Sequence, residues 1–439
     1  MHRSILRIIL GAKISTPKEI LYADTDTVPT SLRRSWLARK YLIQLSTNPQ
    51  NPMYETAKLL YSTNKVYPKR SSPALLLEMR YIDQLGIATF EETPAHFSTY
   101  SYPPPSRPPP CRTLWFPLSK KSAVADHRAV AELFSSLNNQ IPEGTLRIFT
   151  DGAKQQKTNR TTCALHIPSL EVSRAWTLTE HASIFTAELQ AIYQALDYAF
   201  KMDEHVPAVA IYCDSKSAVS SIASSAPGNN ESLHGVRETM ASLKSSGTLT
   251  TILWIPSHVG IRGNEEADRL ATRECSSPTG TRIKINLSPS EKISIVRTDW
   301  KEKVLLNLKN CLKPCIQSRI STGLVRWLYH KDRGITVCLQ RLRSGHNYLN
   351  AFSNRIDQGA DPSCRKGCEE IENVNHVLVD CQANEPHRHK LRYLLSNNNL
   401  EFNVNNLLGL NLNLSPTLQF KIRDTLAKFL SVTAIIDMA

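Results

Sequence analysis

At residue 145 the hydrophobic period of this 439-residue chain changes, and the order of segments after that point leaves few folds open. Before residue 91 the apolar spacing is helical, as in 73–85. From 146 to 150 apolar and polar residues alternate, and 162–167 and 172–178 continue as short strands between polar turns. Helical spacing then takes over at about 183–200, where Phe185, Leu189, Ile192, Leu196 and Phe200 fall on one face. An apolar strand at 206–213, helices at about 215–223 and 232–243, a strand at 250–255 and a helix at 263–274 complete the series. The order of three strands, helix, strand, helices, strand and helix predicts an α/β fold: a mixed five-stranded sheet that opens on an antiparallel meander. The chain is long enough for two or three domains.

The acidic residues of this segment stand at particular places. Asp151 closes an apolar strand and precedes Gly152, which lets the chain turn there while the carboxylate points off the sheet edge. Asp214 follows the strand 206–213 in the same way. Glu188 lies at the margin of the apolar helix face, one turn from Phe185 and Ile192. Asp268 sits in the last helix beside Ala267, Leu270 and Ala271. Singly, an Asp at a strand end is a turn or cap residue, and a Glu in a helix is solvated. Crowded at one sheet edge, carboxylates repel and raise one another's pKa unless a cation neutralises them. Hard oxygen ligands suit Mg²⁺ or Mn²⁺, and two such ions ~3.5–4 Å apart can activate a water and stabilise a leaving oxygen.

Composition narrows the setting. A net charge of +14 points to a polyanionic partner. Ten cysteines in a chain this long form no disulfide framework, and Arg7 and Lys13 interrupt the apolar opening residues. No stretch reaches the ~18 apolar residues of a membrane span, so no membrane partner is expected. The expectation is an intracellular protein, nuclear or cytoplasmic and not secreted.

Four motifs carry a resemblance. Thr150-Asp-Gly-Ala153, Thr186-Ala-Glu-Leu-Gln-Ala191, Cys213-Asp-Ser-Lys-Ser-Ala218 and Trp254-Ile-Pro-Ser-His-Val-Gly-Ile-Arg-Gly-Asn-Glu-Glu-Ala-Asp268 resemble those of the ribonuclease H family, in the form found in polymerases of non-LTR retrotransposons. The resemblance spans residues 145–276 and implies an endonuclease that hydrolyses the RNA strand of RNA–DNA hybrids with two Mg²⁺ ions, Mn²⁺ being an alternative. It implies that Asp151 bridges both ions. Asp268 would complete the site of the ion that activates water, while Glu188 and Asp214 hold the other, which stabilises the leaving 3′ oxygen. His258 matches a mobile-loop histidine that assists proton transfer or product release. Ser215 and Asn264 become phosphate or sugar contacts. Specificity for RNA would come from 2′-hydroxyls read across a minor groove.

The flanks divide further. Within residues 1–100, Leu6-Arg-Ile-Ile-Leu-Gly-Ala-Lys-Ile-Ser-Thr-Pro17 and Leu32-Arg-Arg-Ser-Trp-Leu-Ala-Arg-Lys-Tyr41 resemble the segment after a reverse transcriptase palm in the same elements. No polymerase signature with paired aspartates occurs, so the chain is expected to be the C-terminal part of a longer polyprotein, or a truncated genomic copy, with the absent reverse transcriptase portion as a partner. Residues 101–144 read as a Pro-rich linker, its triplets at 103–105 and 108–110 favouring a polyproline II spacer over an SH3-type ligand. Residues 277–345 are a basic helical segment. In 346–395, Cys364, Cys368, His376 and Cys381 have the spacing of a closed tetrahedral zinc site. They resemble the Cys-Cys-His-Cys knuckle of such polymerases, a match that Arg341-Leu-Arg-Ser-Gly-His-Asn-Tyr-Leu349 strengthens. Cys311 and Cys315 have no ligand partners and read as structural. Residues 396–439 form a helical tail, its final helix at about 418–436.

Charge is unevenly shared. Residues 145–276 hold 12 Lys and Arg against 14 Asp and Glu, and residues 277–345 hold 14 against 4. Some relatives carry a basic protrusion between the third carboxylate and the histidine loop, but 215–257 holds only Lys216, Arg237 and Lys244 against Glu231 and Glu238. The basic segment 277–395 is therefore expected to grip nucleic acid. A catalytically idle nucleic-acid-binding remnant is the alternative to an active enzyme, and the presence of all four carboxylates favours the enzyme.

Overall fold

The computed structural model describes residues 2–62, 73–87, 90, 111–224, 230–310, 326–411 and 413–438. The Pro triplets, Cys311 and Cys315 lie outside them. The chain folds as two compact units, one made of Leu37–Thr298 and the other of Met1–Trp36 together with Asp299–Ala439.

The unit Leu37–Thr298 is built on a sheet of β1 (Arg112–Trp115), β2 (Leu146–Gln155), β3 (Arg160–Ile167), β4 (Val172–Leu178), β5 (Ala208–Cys213), β6 (Leu249–Trp254) and β7 (Arg282–Ile283). Their order is β1-β6-β5-β2-β3-β4-β7. The meander β2–β3–β4 is antiparallel, whereas β5 runs parallel to β2 and β6 parallel to β5. Those five strands are where the hydrophobic alternation placed them. The sheet nonetheless has seven, because β1 and β7 join its edges in parallel with β6 and β4. Four and two residues are too short for a period of two to register in sequence. Nor is 111–144 a spacer: it contains β1 and helices Lys120–Ala125 and His127–Asn138.

Four helices matter for the site: α1 (Ile184–Phe200), α2 (Lys216–Ala223), α3 (Glu231–Ser245) and α4 (Arg262–Ser276). β5 is buried along its whole length, as a central parallel strand covered on both faces must be. Ile148, Ile211, Tyr212 and Ile252 meet Leu189, Ile192 and Leu196 of α1 in the main core. The apolar stripe of α1 does not reach Phe200, which is 49% exposed, while Ala187 and Ala191 are buried on a second face against Cys163 and Leu178.

The domain does not end where its motifs end. Glu291, beyond α4, is buried and accepts hydrogen bonds from the Ser183 backbone N–H and the Thr186 hydroxyl, both at 2.6 Å. It also accepts from the backbone N–H and hydroxyl of Ser288, both at 2.7 Å. Ser183 caps α1, so this carboxylate satisfies the orphan donors at the start of the helix that carries Glu188.

The unit of the two chain ends is helical. Trp327, Leu339, Leu378, Leu395, Leu407, Leu426 and Leu430 share one core, so the Cys/His region and the tail are a single packed body. The motif Arg341–Leu349 is the seam to the first 25 residues. Arg341 donates to the Gly11 carbonyl at 2.9 Å, and the buried Arg343 lies 3.5 Å from Asp24 and donates to the carbonyls of Leu408 and Gly409 at 3.0 Å.

Glu291→Ala is expected to destabilise the unit Leu37–Thr298 by about 2–4 kcal/mol, because several buried donors lose a charged acceptor. Burial would raise the Glu291 carboxyl, but hydrogen bonds from Thr186, Ser183 and Ser288 outweigh it and hold the carboxyl below its ordinary 4.5. A depressed folded value gives stability that is complete above the unfolded value and lost as pH falls through the folded one. The difference in Tm between wild type and Glu291→Gln should therefore be full at neutral pH and shrink below about pH 4. Equal Tm values at pH 7 would show that the network contributes nothing.

Candidate active site and a second metal-ligand cluster

Parallel pairing of β2 and β5 sets Thr150 opposite Cys213. The next residue on each strand is a carboxylate, so Asp151 and Asp214 emerge side by side. Asp151 does not close its strand, however. β2 continues through Gly152 to Gln155, and Gly152 is there for a different reason from a turn. A Cβ at Gly152 would lie 2.7 Å from the backbone N of Glu188 and 2.9 Å from the Ala187 Cβ. The bare glycine lets α1 lie against β2, and that contact brings Glu188 to Asp151. Gly263 does the same for α4, where a Cβ would meet the Phe149 ring at 2.3 Å.

Carboxylate oxygens of Asp151, Glu188 and Asp214 lie within 4.8 Å of one another. Asp268 stands outside that trio, with a side chain 35% exposed, yet close enough for its charge to act on Asp151. All three clustered carboxyls are raised above their ordinary values. For Asp151 and Glu188 the causes are burial and then the charges of the other carboxylates. Burial dominates at Asp214 too, partly relieved by a hydrogen bond from Asn264. Uncompensated negative charge of this kind is what a hard divalent cation neutralises, so the donor set fits Mg²⁺ or Mn²⁺.

The expected partners fall in differing places. Asn264, only 2% exposed, donates from Nδ2 to Asp214 Oδ2 at 3.2 Å and so holds a carboxylate in place. Ser215 caps α2, its hydroxyl accepting from the Ala218 N–H at 3.4 Å. His258 is exposed in the loop after β6, with φ at +57°, and its Nδ1 lies 3.6 Å from Asp268. That loop is tied back by the Gly260 N–H, which donates to Glu265 at 2.9 Å.

Other contacts gave no signal in sequence. The buried Cys213 thiol points at Glu188 Oε2 across 3.7 Å, and the Trp254 indole N–H donates to the Asp214 carbonyl at 3.0 Å. Both arise from strand register, which no local pattern reports.

In the other unit, ligand atoms of Cys364, Cys368, His376 and Cys381 lie within 4.8 Å of one another. The Cys368 and Cys381 sulfurs are 3.6 Å apart, near the ~3.7 Å edge of a tetrahedron with ~2.3 Å metal–sulfur bonds. His376 Nε2 is buried with no hydrogen-bond partner, as a ring nitrogen kept for a metal would be. The backbone N–H of Ala383 draws the Cys368 thiol below its usual range, while burial pushes Cys381 up to about 11. Thiol sulfurs this close suit a thiophilic cation, which binds them as thiolates. Gly367, at φ +81°, makes the turn between the first two cysteines. The fully buried Arg388 holds the second pair together, donating to the carbonyls of Leu378 at 2.9 Å and Cys381 at 2.8 Å. Arg388 reads in sequence as one more surface charge, and only the fold buries it.

An α/β sheet with the carboxylates of Asp151, Glu188 and Asp214 gathered beside its central strands defines a domain suited to metal-dependent hydrolysis. Residues 143–276 match the family model of RNase H, so the chain carries a ribonuclease H domain, of the nuclease class that acts on RNA in hybrids. No curated protein matches the chain.

Gly152→Ala should push α1 off β2, since the obstructing atoms are backbone. A loss of about 1–3 kcal/mol in chemical denaturation and a fall in hydrolysis larger than that loss explains are expected. A variant with wild-type activity would show that the approach of α1 to β2 does not set the site.

Proposed function

We propose that the chain is a two-metal-ion endonuclease for the RNA strand of RNA–DNA hybrids, working as part of a retrotransposon polymerase. The observation that carries this is the trio Asp151, Glu188 and Asp214, whose oxygens lie within 4.8 Å of one another and whose carboxyls are all raised by burial. In this reading Asp151, Glu188, Asp214 and Asp268 would together hold two divalent ions. Bound divalent ions would supply a more acidic attacking water and neutralise charge on the leaving 3′ oxygen. Asn264 fixes Asp214, Cys213 abuts Glu188, and Trp254 anchors the Asp214 backbone, so the ligands are oriented before substrate arrives. His258, exposed and facing Asp268, is placed to carry a proton or release product. The retroelement setting is supported by the motif Arg341–Leu349 and by the Cys/His cluster, which we read as a zinc knuckle. An intracellular location suits a cluster that needs reduced thiols.

The basic segment 277–395 supplies a second grip on nucleic acid. Near the knuckle, Lys13 lies 3.6 Å above the half-exposed Tyr348 ring, with Arg341 at 5.0 Å, and Arg355 lies 4.5 Å from Phe352. Cations beside aromatic rings suit a phosphate backbone and its bases.

Asp151→Asn keeps shape but removes one of these charges. Mg²⁺-dependent cleavage of a hybrid should fall by roughly three orders of magnitude or more, with Tm unchanged or raised because a repelling buried charge is gone. Retention of more than about a tenth of the wild-type rate is incompatible with the two-metal reading.

Protein prepared without chelator should hold about one zinc per chain, and Cys368→Ser should release it while hybrid cleavage persists. Elemental analysis that finds no zinc in the wild type would remove the knuckle.

A further inference from the structure

Residues 112–125 precede the stretch that matches the family model, yet they border the candidate active site. β1 pairs with β6 so that Trp115 stands opposite Trp254, the ring centroids 6.4 Å apart. Trp254 is itself bonded to the Asp214 carbonyl. Two indoles thus lead from the third carboxylate to the edge of the sheet, and the outer one is 40% exposed. Cations flank this line. Lys216 Nζ lies 5.5 Å from the Trp254 ring, and the Lys120 ammonium is one of the charges that act on the Asp214 carboxylate. Lys120, Lys121 and Lys216 are exposed, and no Asp or Glu occurs from 112 to 125. The helix that follows begins at His127, whose Nδ1 lies 3.8 Å from where a Gly260 Cβ would stand, so this segment also abuts the loop of His258.

These features have a single chemistry in common. The stretch 145–276 is net acidic and 215–257 carries no basic protrusion, so a polyanion approaching the carboxylates needs cations from elsewhere. Exposed lysines offer point charges to phosphates, and an exposed indole offers a face to a sugar or base. We propose that Trp115, Lys120 and Lys121, on the edge strand and the helix after it, join Lys216 to bind the sugar–phosphate backbone of the hybrid beside the scissile position. The surface takes the place of a basic handle inside the domain. It rests on the hybrid-nuclease reading and adds to it a contact surface that precedes the matched stretch.

The test uses the full chain and a hybrid duplex titrated without divalent ions across a salt series. The triple variant Lys120→Gln, Lys121→Gln, Lys216→Gln should keep the wild-type Tm, since all three side chains are exposed. It should bind about tenfold more weakly near 0.1 M salt, with a slope of log affinity against log salt shallower by about 2–3. Trp115→Ala should weaken binding about three- to tenfold and leave the slope alone, because it removes a stacking face and no charge. Lys216→Gln by itself serves as a second charge variant, expected to lower the slope by about 1. Wild-type protein that cleaves the hybrid with Mg²⁺, together with slopes unchanged in both lysine variants, overturns this surface alone. Wild-type protein that cleaves no hybrid overturns the nuclease reading and the surface with it.

Discussion

The contact between α1 and β2 at Gly152 is the constraint on which the site depends. Three carboxylates with oxygens within 4.8 Å of one another repel, and burial deepens the penalty. Nothing in their own chemistry gathers them. They are held by packing elsewhere: Leu189, Ile192 and Leu196 seat α1 on the sheet, and the absence of a side chain at Gly152 sets how close it comes. The domain thus uses apolar burial to assemble a cluster whose own charges oppose it. Such stored electrostatic stress is a common property of sites built for charge chemistry.

Three further buried charges hold segments of the chain in place. Glu291 fastens residues beyond the last motif to the start of α1, Arg343 fastens the tail to Asp24, and Arg388 fixes the chain around the second pair of the Cys/His cluster. Each is saturated with hydrogen bonds or paired with an opposite charge, the condition under which a charge can be buried at tolerable cost. These three residues explain why neither folding unit coincides with a run of motifs. The edges that a motif search draws fall where chemistry ends, whereas the units end where buried polar groups are satisfied.

The five central strands and four site helices were legible because each repeats an apolar period over five or more residues. The carboxylates were legible because Asp214 and Glu188 stand beside such periods. The edge strands β1 and β7 were not, since four and two residues carry no period and pair only because a neighbour offers free donors and acceptors. Gly152 was noticed for a turn, when its use is the approach of a helix from another part of the chain. The bond from Asn264 to Asp214 has no local signal either, because it depends on which way α4 faces the sheet.

The sequence by itself determined the α/β class, the order of the elements, the four acidic motif positions and the close spacing of three cysteines and a histidine, because these are carried by residue type and local spacing. Tertiary structure alone decided which carboxylates are neighbours, that Asp268 stands apart from the other three, that residues 112–125 border the site, and that the two ends of the chain form one unit. Local spacing fixes which face of an element is apolar, but register, helix approach and the satisfaction of buried charges depend on segments apart in sequence, from 36 residues for Gly152 and Glu188 to 108 for Ser183 and Glu291. Those contacts exist only once the chain is packed.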